Sequence, residues 1–333
     1  MTLAAVRSPS DLALGPAPRV GRLRRRFAPW PLMLATACLS LVARADPVYI
    51  ALGDSITFGE TDLAYVPSYG DRGYVAKFAD ALALRNGGVR PMVLNFAIDG
   101  ETAASYVSGI GRTPPVVGRT DVPLALQNQH YNVNLVPQSK QFASTIEAQR
   151  AGGNTVQAIT MTLGFNELGA LTALPAAEAL AQLPQTLATY RTNLVNVVSE
   201  VRRLAPEASL SLLGYFNPFP GNPGNPAAAL FQLGGPQLNA VIRSVALEQG
   251  AGFVDTAGAF LGREAQLTYI DEQPAGSTVG GRYGGLMPIG NVHPNDLGYS
   301  AIAAQVSAVP EPASWALMAV GLLAAVKGAR RRA

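Results

Sequence analysis

Five short runs of apolar and β-branched residues recur along residues 46–308: Val48–Leu52, Pro91–Phe96, Val156–Leu163, Ser209–Tyr215 and Gly252–Val254. Strands buried on both faces read this way, and such strands form parallel sheets. The segments between them have helical spacing. The clearest is Thr186–Leu204, where Leu187, Tyr190, Leu194, Val197, Val198 and Val201 recur three or four residues apart before Pro206 ends the pattern. Helices are also predicted over Tyr74–Leu84, Gln237–Gln249 and Leu297–Ser307. This alternation predicts an α/β fold, a three-layer α/β/α sandwich with a mostly parallel sheet of about five strands, built as one domain. Two stretches, Ser105–Val136 and Phe216–Gly235, are rich in turn-forming and polar residues and resist assignment. In an open α/β sheet, loops of that length lie near the carboxyl ends of the strands, where ligands bind.

The two ends of the chain read differently. Residues 1–45 carry seven Arg against one acid, with a basic cluster at Arg22–Arg26, an apolar run Pro31–Val42, and Ala43-Arg44-Ala45 before Asp46. This is the layout of a secretory signal peptide with small residues at the peptidase site, and the run is shorter than the ~20 residues of a bilayer span. Arg24-Arg25-Arg26-Phe27 partly fits a twin-arginine signal while Ala28-Pro29 departs from it, so the export route stays open. At the other end, Val309-Pro310-Glu311-Pro312 precedes an apolar run, Trp315–Val326, and a basic tail of Lys327 and Arg330–Arg332. In that order these parts resemble the PEP-CTERM sorting signal of Gram-negative bacteria. The resemblance implies, for residues 309–333, processing by an exosortase-type enzyme, transient membrane association through the short helix, and delivery to the envelope or outside. With both ends set aside, 14 bases face 20 acids between Asp46 and Val309, so a nucleic-acid partner has no electrostatic support. The single cysteine, Cys38, lies in the N-terminal apolar run, which leaves the mature part without disulfide or thiol chemistry.

Ser55 follows the first strand within Leu52-Gly53-Asp54-Ser55. A strand-to-helix turn exposes a hydroxyl and leaves backbone N–H groups free to meet an anion, although Gly-Asp-Ser is also an ordinary turn and helix cap. Three further blocks stand in order behind it: Asn95–Thr102 after the second strand, Gly164-Phe165-Asn166-Glu167 after the third, and His293–Tyr299 before the last helix. A serine hydroxyl is a poor nucleophile without a general base, most often His. The sequence holds two, and His130 sits in the long polar stretch with no motif around it.

Together the four blocks resemble the SGNH/GDSL hydrolase family over roughly Val48–Val306, nearly all of the mature chain. The resemblance implies a flavodoxin-like fold and ester hydrolysis with no cofactor. Within it Ser55 would be the nucleophile and His293 the base, while the N–H groups of Ser55 and Gly100 and the side-chain amide of Asn166 would form the oxyanion hole. One position departs from the pattern. The family's acid stands three residues before the His, and here that residue is Gly290. The acid holds the imidazole in its productive tautomer, so a substitute is required: the carbonyl of Gly290, the amide oxygen of Asn291, or a distant carboxylate, Asp271 or, by preference, Asp255 at a strand end. Asp296 reads as the cap of the last helix.

The expected function is an exported serine hydrolase acting on small-molecule, lipid or polysaccharide esters, processed by signal peptidase and an exosortase-type enzyme. The alternative is a weak or inactive surface or matrix binding protein, which Gly290 favours and the four retained groups oppose. The Gly-x-Ser-x-Gly elbow of α/β-hydrolases is missing, and two His with no Cys in the mature part make a dedicated zinc site improbable. Tyr106, Tyr131, Phe216 and Phe219 read as loop packing, with an acyl-pocket lining as the other option.

Overall fold

All five apolar runs are strands of one sheet. In the computed structural model, which describes residues 46–59, 72–109, 136–219, 224–225, 227–279, 285–287 and 289–309, they are β1 (Pro47–Gly53), β2 (Met92–Asn95), β3 (Thr155–Thr162), β4 (Ser209–Leu213) and β5 (Gly252–Val254). The signal-like segment 1–45, the sorting segment from residue 310 onward, His130 and Tyr131 lie outside the described residues. The strand order is β2-β1-β3-β4-β5 and every pairing is parallel. Val48 to Leu52 of β1 are fully buried, which is why that run shows no polar alternation. β2 forms an edge, where Met92 is exposed. Leaving β1, the chain first adds a strand on one side and then crosses to the other. The carboxyl ends of β1 and β3 therefore flank the switch point at which open α/β sheets form their crevice.

Ten helices are described: α1 (Ser55–Phe58), α2 (Gly73–Arg85), α3 (Ala103–Ser108), α4 (Gln138–Ala151), α5 (Phe165–Leu171), α6 (Ala176–Leu204), α7 (Ala228–Glu248), α8 (Thr256–Phe260), α9 (Glu264–Leu267) and α10 (Asp296–Ala308). One group, α1, α2, α8, α9 and α10, packs together; α3 to α7 form the other. These are the two outer layers of the sandwich. A short antiparallel pair, β6 (Ser277–Val279) with β7 (Gly285–Met287), stands apart from the main sheet.

Several boundaries differ from expectation, for identifiable reasons. The helix predicted from Thr186 starts at Ala176 and runs through Pro184, and the one predicted from Gln237 starts at Ala228 and runs through Pro236. The second therefore absorbs the end of the unassigned stretch Phe216–Gly235. An interior proline costs ~3 kcal/mol, but Ala179, Leu183 and Leu187 on one helix and Leu230, Phe231 and Leu238 on the other are all buried. A buried Leu or Phe contributes about 1.5–3 kcal/mol, so the continuing apolar stripe outweighs the break. Helix α4 was not expected because its buried face is thin, only Gln138, Phe142 and Ile146. At α10 the capping side chain is that of Asn295, which accepts from Gly298 N at 3.0 Å. Asp296 is instead the first helical residue and pairs with Lys77 of α2 at 3.0 Å.

Candidate active site

The turn that presents Ser55 is fixed by residues from three other parts of the chain. β1 ends at Gly53 with φ +125°, and a Cβ there would stand 2.0 Å from Thr162 O, so only glycine lets β1 approach β3 this closely. The side chain of Gln138, at the start of α4, grips the same residue twice: Gly53 N donates to its Oε1 at 2.7 Å and its Nε2 donates to Gly53 O at 3.0 Å. Asp54, fully buried, then caps α1. Its Oδ1 accepts from Ile56 N at 3.1 Å and from Thr162 Oγ1 at 2.7 Å, and its Oδ2 accepts from Tyr215 OH at 2.6 Å. Burial raises the Asp54 carboxyl to about 6, against the opposing pull of those donors. Ser55 follows as the first residue of α1, itself mostly buried.

The Gly100 loop is drawn to this turn by the backbone. Past β2 the chain stays beside β1, with Phe96 N donating to Ala51 O at 2.8 Å and Ile98 N to Gly53 O at 2.9 Å. The Asn95 side chain donates to Thr57 O of α1 at 2.9 Å. Gly100 has φ +77°. Among the described residues, neither its N–H nor that of Ser55 is taken by an acceptor.

Asn166 arrives from the end of β3. Gly164 has φ +140° and a Cβ on it would meet the Tyr190 hydroxyl at 2.8 Å, so this turn too requires glycine. Asn166 Nδ2 donates to Glu101 O at 2.8 Å, and Glu167 Oε1 accepts from Ala103 N at 2.7 Å. Adjacent side chains of α5 thus hold both ends of the Glu101–Ala103 segment, directly after Gly100. Glu167 Oε2 is buried with no hydrogen-bond partner among the described residues, and burial raises this carboxyl to about 7. Glu101 is fully buried; its carboxylate accepts from Ser105 Oγ and from Gln138 Nε2, the latter at 3.2 Å.

His293 precedes α10, which packs on α2 as α1 does. Its Nδ1 lies 2.9 Å from Asn291 Oδ1, and its own backbone N–H donates to the same oxygen at 3.1 Å. A backbone N–H can only donate, so the Asn291 atom facing the ring is the oxygen and the ring atom meeting it carries hydrogen. Asn291 Nδ2 donates to Gln273 Oε1 at 2.8 Å, and Asn291 N to Gln273 O at 2.8 Å. The amide is therefore locked in the orientation that selects the Nδ1–H tautomer, in which Nε2 is the ring nitrogen without a hydrogen.

Of the possible orienting groups, only Asn291 makes a described hydrogen bond to the ring. Asp255 is half-exposed, caps α8 by accepting from Gly258 N at 3.1 Å, and faces Arg243 at 3.8 Å. It sits at the end of the edge strand β5, and α8 begins immediately after it, so its carboxylate is spent on the helix start. Asp271 is exposed. Gly290 has φ +83°, and a Cβ would fall 2.6 Å from Ile270 Cδ1 and 2.9 Å from Gln273 O; no side chain fits where the acid would stand. Phe216 and Phe219 are buried, stacked on Phe260 and edge-on to Phe231 respectively, and Tyr106 is buried as well, in keeping with loop packing. Sequence reasoning did not single out Gln138, Tyr215 or Gln273. Tyr215 had a usable signal, its place at the carboxyl end of a strand; the two glutamines had none.

A family model described as GDSL-like lipase/acylhydrolase matches residues 51–301, and a PEP-CTERM protein-sorting motif matches residues 308–332. No curated protein sequence matches the chain. Among solved structures, a lipase from a goat rumen metagenome is 18% identical, with a TM-score of 0.51 over 79% of this chain and 97% of that one. Phospholipase A1 from Streptomyces albidoflavus NA297 is 20% identical (TM-score 0.48; 79% and 98% covered). A catalytic mutant of an acetylxylan esterase from Geobacillus stearothermophilus is 19% identical (TM-score 0.45; 78% and 92% covered). At such identities the first likeness speaks for the fold.

Proposed function

Because the chain belongs to the GDSL-like lipase/acylhydrolase family and carries a PEP-CTERM sorting motif, we propose that it is an exported ester hydrolase working through an acyl-enzyme on Ser55. His293 Nε2 takes the Ser55 proton as Oγ attacks the ester carbonyl. The carbonyl oxygen, now negative, is met by the N–H groups of Ser55 and Gly100 and by the second hydrogen of the Asn166 amide. His293 returns the proton to the departing alkoxide, releasing the alcohol. Water, deprotonated by the same His, then attacks the acyl-enzyme, and collapse of the second intermediate frees the acid and restores the Ser55 hydroxyl. Asn291 orients His293 in place of the acid displaced by Gly290.

The observation that carries this reading is the bonding of the three strand-end turns to one another, through Ile98 N to Gly53 O and Asn166 Nδ2 to Glu101 O. Oxyanion donors are effective when held in place beforehand, and losing one costs ~10²- to 10³-fold in rate. The sorting motif indicates export and surface sorting in a Gram-negative bacterium; removal of residues 1–45 by signal peptidase and exosortase cleavage near residue 309 complete the proposed route. Esters of envelope lipids or of acetylated surface polysaccharide are the substrates such a location offers.

The test compares the chain with Ser55→Ala on p-nitrophenyl acetate and butyrate and follows labelling by a fluorophosphonate. Ester turnover and labelling that both vanish in Ser55→Ala support the reading. Equal slow release by the two proteins, with no label on Ser55, refutes it and leaves a binding protein on the same fold.

A further inference from the structure

The Tyr215 phenol stands on an unusually well fixed stretch of main chain. Gly214 N donates to Val254 O at 3.0 Å, and Thr256 Oγ1 donates to Gly214 O at 2.5 Å. The Asn239 amide then brackets Tyr215 itself, accepting from its N–H at 2.7 Å and donating to its carbonyl at 2.7 Å. Gly214 leaves the space this bracket needs, since a Cβ there would stand 2.9 Å from Asn239 Oδ1. The ring rests against Phe165, with centroids 5.7 Å apart. A donor fixed at so many points delivers its hydrogen to one spot with little entropy left to lose.

That spot is Asp54 Oδ2, at 2.6 Å, across β3 from the strand that bears Tyr215. Asp54 is buried, and its other oxygen receives Ile56 N–H and the Thr162 hydroxyl. We propose that Tyr215 is a positioning residue for the Ser55 reaction: its phenol keeps the Asp54 carboxylate ionised, and the ionised carboxylate holds the turn that aims Ser55. The inference rests on Ser55 being the nucleophile.

The physical step is the difference between the two forms of Asp54. As a carboxylate it accepts from all three donors. Once protonated it carries its hydrogen on Oδ2, where the phenol can reverse its role to receive it, and Oδ1 meets Ile56 N–H and the Thr162 hydroxyl as a neutral acceptor in place of a charged one; hydrogen bonds to a charged group are the stronger, so the cap on α1 weakens and Ser55 is held less firmly. Hydrogen bonds to the charged form favour it, and Tyr215 provides the largest of those offsetting burial. The groups that face Asp54 are Thr162 of β3, Tyr215 after β4, Tyr74 of α2, Tyr190 of α6 and Glu167 of α5, the last of these another acid, whose own ionisation the Asp54 charge helps to oppose. No other described hydrogen bond to Oδ2 replaces the phenol if it is removed.

Tyr215→Phe keeps the ring against Phe165 and deletes only the hydroxyl. In the full chain, kcat/KM for p-nitrophenyl acetate is measured against pH for the parent, Tyr215→Phe, Asp54→Asn and the double variant. The expected result is an acid limb that moves up by about one pH unit in Tyr215→Phe, with kcat/KM near the parent's at alkaline pH and about tenfold lower on the limb. In Asp54→Asn the contribution of this carboxyl to the limb disappears and adding Tyr215→Phe changes nothing further. An unmoved limb, or a loss equal at every pH, overturns the proposal. If Tyr215→Phe does not fold, Asp54→Asn still decides, since a profile identical to the parent's excludes Asp54 as the titrating group. A parent that turns over no ester and takes no fluorophosphonate label overturns the Ser55 reading instead, a different outcome from an active parent with an insensitive limb.

Discussion

Replacing Asn291 by alanine removes the one acceptor that meets two N–H groups of His293, the ring Nδ1–H at 2.9 Å and the backbone N–H at 3.1 Å. During ester cleavage the ring becomes imidazolium and the first of these bonds becomes charge-assisted. Hydrogen bonds to charged groups are worth about 1.5–3 kcal/mol, which corresponds to a loss of about 10- to 150-fold in kcat. The figure stays below the ~10⁴-fold cost of disabling the acid of a Ser-His-Asp triad, because a neutral amide oxygen supplies a dipole and not a full charge. Asn291→Asp is the informative partner. A carboxylate beside Nδ1 favours the imidazolium, and the Gln273 amide can turn over to offer Nε2–H where it now offers Oε1. This variant is expected to equal or exceed the parent in kcat while its acid limb moves to higher pH. Steady-state rates on p-nitrophenyl esters, with a thermal melt to confirm folding, decide the matter. An Asn291→Ala protein that is folded and retains the parental kcat would show that His293 is oriented by something else, and the amide-for-acid reasoning would fall.

Two further outcomes follow from the same geometry. Gly290→Asp, which restores the family's acid in sequence, is expected to lower the melting temperature and not to raise activity, since a left-handed φ costs an L-residue ~1–2 kcal/mol even before its Cβ meets Ile270 and Gln273 O at under 3 Å; a stable, faster enzyme would contradict this. Glu167 stands at about 7 when folded against 4.5 when unfolded, so between these pH values the folded state keeps a proton that the unfolded chain has released, and stability falls as pH rises through the window. The shift corresponds to about 3 kcal/mol. Glu167→Gln should therefore match the parent in melting temperature at about pH 5 and exceed it at about pH 8; melting curves that run parallel across pH would count against a buried, titrating Glu167.

The strands were readable because burial on both faces writes a continuous apolar run, and all five runs fall in the sheet. The helices were readable only where their buried stripe is wide, so α6 was found by its Leu and Val spacing while α4, with its few buried side chains, was not. The predicted starts, Thr186 and Gln237, fall just past Pro184 and Pro236, which are interior residues, because the stripe on their amino-terminal side already supplies enough burial. Ser55, Gly100, Asn166 and His293 stood out through their blocks. What orients His293 depended on an amide rotamer set by Gln273, 18 residues earlier in the chain, and no spacing rule encodes that contact. Asp255 was preferred for its strand-end position, yet the same position lets it cap the next helix.

Asp54 reaches Thr162 with both its backbone and its side chain, 108 residues further along the sequence. Contacts of that separation form late, since loop closure over long stretches must precede them. Until β3 has docked beside β1, the turn bearing Ser55 lacks the Thr162 contacts that hold the Asp54 backbone and side chain, and the serine is an ordinary hydroxyl on a loosely held turn. On the proposed reading of Ser55, competence is thus tied to completion of the sheet: a chain that crosses a membrane unfolded would carry the serine disarmed and arm it only at the destination where folding finishes.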